Sequence, residues 1–94
     1  MTTNKQTELT EQDIKWLSDK GFKKVLKDEE YIFEVSNAYA SIYYSEVRRK
    51  AACWIYSDFD TISCYEDTAE AAFNAAVGKF RHLVENMNKA LAEF

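Results

Sequence analysis

The sequence predicts a two-layer α+β domain with a short N-terminal helix, a four-stranded antiparallel meander and a long C-terminal helix packed on one sheet face. Two periodicities and one start signal predict it. Phe73, Ala76, Phe80, Leu83, Met87, Ala90 and Phe94 recur at alternating spacings of three and four, and Val77, Val84 and Leu91 widen the stripe. This is the apolar period of a helix, held for about three heptads. Between Tyr31 and Tyr65, β-branched and aromatic residues gather in short runs separated by polar turns, the pattern of strands. Near the N-terminus, Thr10 and Asp13 stand three apart before an apolar residue, as a capped helix start requires.

The elements follow in order. Residues 1–8 are polar and are expected to fray, leaving 9–94 as a single domain. A first helix spans 10–20, with Leu9 placed to staple onto Ile14 and Gly21 offering a left-handed stop after Lys20. Ile14 and Leu17 form its expected inner edge, with Trp16 toward the flank. From Phe22 to Glu30 the pattern fits a strand or an irregular connection, and Asp28-Glu29-Glu30 reads as a turn. Strands are expected at 31–36, 39–47, 51–57 and 61–65. The last helix begins after Asp67, with Glu70 as a capping partner, and would run to Phe94, roughly 40 Å at about 1.5 Å per residue. Gly78 falls opposite the Phe73–Phe80 stripe and lowers helix stability by about 1 kcal/mol relative to Ala without touching the core.

A register test supports the meander. Turns centred on Asn37-Ala38, Arg48-Arg49 and Asp58-Phe59 place Phe33 opposite Ile42, Ile42 opposite Ile55 and Ile55 opposite Ile62. One face then collects Tyr31, Phe33, Val35, Ala40, Ile42, Tyr44, Cys53, Ile55, Ile62 and Cys64. A slip of one residue in any strand scatters this set. Cys53 and Cys64 become cross-strand neighbours, read as small buried hydrophobes; a disulfide fits the register, but a reducing compartment disfavours it.

Composition narrows the function classes. Hydrophobic content of 47% with 15% aromatic residues belongs to a folded domain. No apolar run reaches the roughly 18 residues of a membrane span, and the first residues lack the apolar core of a secretory signal, so a cytoplasmic location is expected. The net charge of −4, from 16 acidic and 12 basic residues, argues against sequence-independent nucleic-acid binding. The dense basic cluster, Arg48-Arg49-Lys50, reads as a solvated hairpin tip, with contact to phosphate or an acidic partner as its alternative. Two glycines cannot form a phosphate-cradling loop, His82 has no acid–cysteine partner, and the cysteines lack metal or redox spacing. No catalytic residue, metal site or cofactor is therefore assigned, and the chain is read as not an enzyme.

Two surfaces ask for a partner. The second sheet face carries Tyr39, Tyr43, Trp54, Tyr56 and Tyr65 among serines, with Glu34 within it, Glu46 near the far hairpin, and Asp58, Asp60, Glu66 and Asp67 together at the opposite end. Tyrosine and tryptophan bury large area with little rotamer loss, and carboxylates steer basic partners, so this is the candidate partner-binding surface. Its alternative is concealment, with helix 10–20 and Trp16 folded over the rings. The other surface is the distal helix, where Leu83, Val84, Met87, Leu91 and Phe94 overhang strands only about 17–20 Å long. Helix 10–20, a second copy in a homodimer, or a different protein are the covers weighed for it.

In size, acidity and helix-plus-antiparallel-sheet design, the whole chain resembles the small accessory proteins of phages and mobile elements, anti-CRISPR and other anti-defence inhibitors among them. The resemblance rests on architecture and composition and transfers no site residue. It implies a non-enzymatic inhibitor or adaptor in the host cytoplasm, set against a protein complex whose basic surface receives nucleic acid. A structural homodimer and a small-ligand sensor with a groove beside the helix are the alternatives.

Overall fold

The computed structural model describes residues 8–25 and 29–94. Most of the tail expected to fray lies outside these residues, as does Asp28 of the expected turn.

Helix α1, Glu11–Lys20, starts with the reciprocal cap its sequence announces. The Asp13 amide donates to Thr10 Oγ1 at 3.1 Å, and the Thr10 amide donates to Asp13 Oδ2 at 3.0 Å. It stops at Gly21, whose φ of 111° lets its amide close back on the Leu17 and Ser18 carbonyls. A side chain there would also stand 3.2 Å from the Phe33 ring. The inner edge differs from expectation. Leu17 is fully buried, but its neighbour one turn earlier is Asp13, 5% exposed, while Ile14 turns outward. The reason is electrostatic: Asp13 Oδ1 accepts the Ala69 amide at 2.9 Å, at the start of the second helix. One carboxylate thus caps the N-termini of two helices, where the backbone dipoles converge on a negative charge.

The sheet has five strands in sequential antiparallel order, β1 Lys23–Val25, β2 Glu30–Val35, β3 Ala38–Ser45, β4 Lys50–Ser57 and β5 Thr61–Glu66. The fifth strand corrects the expected four. It is the ambiguous stretch after Phe22, a three-residue edge on β2 with Lys23 and Lys24 exposed, a composition that discourages further pairing. Glu29 closes the connection to β2 at a φ of 51°.

Two of the three expected turns sit one residue earlier. Tyr31 opposes Ile42, and Ala40 opposes Ile55, whereas Ile55 opposes Ile62 and Cys53 opposes Cys64 as expected. Moving a turn centre by one residue moves the pairing by two, so every side chain stays on its expected face. Ile42 and Cys53 are fully buried, and Ala40, Ile55 and Cys64 nearly so. Each buried Ile or Leu contributes about 1.5–3 kcal/mol. Both cysteines are free thiols. Burial, with a smaller effect from Cys64, pushes the Cys53 thiol up to about 12.

Helix α2, Ala69–Ala92, runs 24 residues, about 36 Å at ~1.5 Å per residue, and lies over β4, β5 and β3. Its cap is Thr68, whose Oγ1 accepts the Ala71 amide at 3.1 Å, not Asp67 with Glu70. Ala69, Ala72 and Ala76 are fully buried and let the helix approach the sheet closely. Helix α1 joins α2 on this same side. Trp16 and Phe22 each pack on Phe73, with ring centroids 5.5 and 5.6 Å apart, and Phe22 packs on Phe33 at 5.3 Å. Both helices therefore form one layer. No described helix is long and apolar enough to cross a membrane.

Candidate protein-binding face

With both helices on one side, no described helix packs over the reverse of the sheet, so α1 does not hide the aromatic residues. The strand register sets Tyr39 opposite Tyr56 and Trp54 opposite Ser63, while Ala52 separates Tyr43 from Tyr65. From this geometry a row of rings forms across β3 and β4, with Tyr65 beyond Ala52 on β5. Tyr39 stacks on Tyr56 with centroids 4.8 Å apart, and Tyr56 stacks on Trp54 at 6.1 Å. Trp54 Nε1 then donates to the Tyr43 hydroxyl at 3.2 Å. Tyr65 ends the row beneath the Arg48 guanidinium, 4.3 Å above its ring centre. Burial raises the Tyr43 and Tyr56 phenols above their ordinary range.

These rings are partly exposed but already ordered. Cross-strand stacking and the indole hydrogen bond fix their orientations before anything binds, which lowers the entropic cost of an interface. Ser41, buried beneath the row, donates to Glu30 Oε2, holding a carboxylate on the same face.

The acidic residues divide. Glu34 is exposed on the face, directly opposite Tyr39. Glu34, Tyr39, Tyr56 and Asp58 line one shallow open depression at the end carrying the β2–β3 and β4–β5 turns. Asp60 is at that end too, but its backbone carbonyl and Oδ1 tie the turn through Ser57 and the Thr61 amide. Glu46 lies at the opposite end, in the β3–β4 loop. So do Glu66 and Asp67, which had been expected to accompany Asp58 and Asp60. Glu66 also pairs with Ala51, which puts it on the helix-bearing side. Asp67 is held by Lys50 at 2.7 Å, and that ammonium lowers its carboxyl further below the usual carboxylate range.

Sequence reasoning missed two members of the face. Glu30 fell inside an expected turn, and Arg48 was read as a solvated tip; its position two residues before a strand facing Tyr65 was the available signal. Among the described residues, no group of three or more His, Cys, Asp or Glu side chains could hold a metal ion. Compared with protein-family models, with curated proteins and with solved structures, the chain gives no match.

Proposed function

We propose that this chain is a non-enzymatic protein-binding inhibitor or adaptor that engages a basic partner through its aromatic sheet face. The carrying observation is the ordered row Tyr39–Tyr56–Trp54–Tyr43, flanked at one end by Glu34 and Asp58. A lysine or arginine of the partner would lie over the Tyr39 and Tyr56 rings while the two carboxylates meet its charge. Arg48 over Tyr65 is the same contact within the chain, at the other end of the row. Recognition of this kind suits a partner whose basic surface otherwise receives nucleic acid, which agrees with the anti-defence role the overall design suggests.

The test is affinity capture from a host lysate with the wild type and a Trp54→Ala/Tyr56→Ala variant, followed by a charge-reversed Glu34→Lys/Asp58→Lys variant. The proposal expects one protein retained by the wild type and lost from both variants, each keeping its circular dichroism spectrum. Undiminished capture by the folded variants would refute it.

A further inference from the structure

The distal third of α2 points to a second copy of this chain as its occupant. Phe80 is the last α2 ring packed on the domain, against Phe59 at the β4–β5 turn, with centroids 6.4 Å apart. Beyond it Leu83 and Val84 are half-buried, Met87 is 42% exposed, Leu91 69% exposed and Phe94 fully exposed. The spacing Phe73, Val77, Phe80, Val84, Met87, Leu91, Phe94 alternates four and three without a break, the seam of a coiled coil. The sheet covers its first half; the second half continues the seam with no cover among the described residues.

We infer that two copies pair antiparallel through Val84, Met87, Leu91 and Phe94, with the two-fold axis at Met87. Two observations select this partner, and the first of them selects the orientation. First, reversal about Met87 brings Phe94 of one copy level with Phe80 of the other. Phe59, 56% exposed, and Val35, 57% exposed, lie at that same end of the domain, Val35 on the helix-bearing side of the sheet. The projecting end of each helix thus meets apolar surface that the other domain leaves open. Second, the area suffices. Two Phe94 rings alone would remove about 300–500 Å² from water, and Met87, Leu91 and Phe59 from both copies bring the total near the ~1,000 Å² that a specific interface needs.

Sedimentation over a concentration series tests the pairing, and oxidation of single-cysteine variants tests its direction. The wild type is expected to pass from monomer to dimer, and Leu91→Glu to weaken the association by about 100-fold or more, since the change enters a symmetric interface twice. Leu91 is exposed in the single chain, so this variant keeps its fold, and unchanged thermal unfolding at low concentration verifies that. Met87→Cys should cross-link at the axis. Leu91→Cys should not, its two copies standing about 12 Å apart along the helices at ~1.5 Å per residue. A monomeric mass at every concentration overturns the inference, as does association untouched by Leu91→Glu. Cross-linking at both positions overturns the antiparallel arrangement. Loss of aromatic-face capture leaves these readouts unmoved, so the two surfaces are judged separately.

Discussion

The two faces of one sheet are built from different chemistry, and only one of them lies under helices. The helix-bearing face uses Ala40, Ile42, Ala51, Cys53, Ile55 and Cys64, small or branched residues that disappear under two helices. The reverse face uses Tyr39, Tyr43, Trp54, Tyr56 and Tyr65, which order one another in the plane of the surface and remain reachable. Strand alternation assigns residues to one face or the other. Size and polarity then decide which face folds the chain and which stays available. Stability is concentrated on the first face, and the proposed function puts recognition on the second, so substitutions should separate the two properties.

The largest loss of stability should come from the covered face. Ile42→Ala removes a fully buried side chain and should cost about 3 kcal/mol in urea denaturation, through lost transfer energy plus a cavity. Asp13→Ala comes next, at about 2 kcal/mol, because it strips the acceptor from two helix N-termini; Thr10→Ala, which touches only α1, should cost about half as much. Tyr56→Ala on the reverse face should cost about 2 kcal/mol, from two stacking contacts at about 1 kcal/mol each, while abolishing capture. Gly78→Ala should raise stability by about 0.8 kcal/mol and leave capture unchanged, since its position is open and within α2. An Ile42→Ala loss no larger than that of Tyr56→Ala would erase the distinction between the faces.

The covered face also carries a pH dependence of its own. Cys53 is protonated in folded and unfolded chains below its ordinary value near 9, so its burial favours the fold fully there. Above that value the unfolded chain releases the proton while the folded chain holds it to about 12. Stability should therefore fall as pH rises through this window, and less steeply in Cys53→Ala. In the folded protein at pH 8 both buried thiols should resist alkylation.

Much of this fold was legible because its signals are local or periodic. Thr10, Asp13 and Gly21 lie within one helix and declare both its ends. Face assignment survived two misplaced turns because alternation has a period of two and the pairings shifted by two. Contacts across the chain were not legible. Nothing near Asp13 in sequence announces Ala69, 56 residues away, so Ile14 was assigned the inner position that the shared cap takes for Asp13. Strand β1 stayed one of two readings because Lys23 and Lys24 dominate a three-residue edge that only its pairing with β2 reveals. The aromatic row was readable from alternation alone, but its acids were not. Their grouping depends on which strand end each occupies, and that placed Glu66 and Asp67 away from Asp58 and Asp60.

The most direct measurement is acrylamide quenching of Trp54 fluorescence in a Trp16→Phe background, taken on the free protein and on its captured complex. An outward aromatic face that serves as the docking surface predicts ready quenching in the free protein and strong protection in the complex. An indole already shielded in the free protein, or equally quenched in both, would contradict the account.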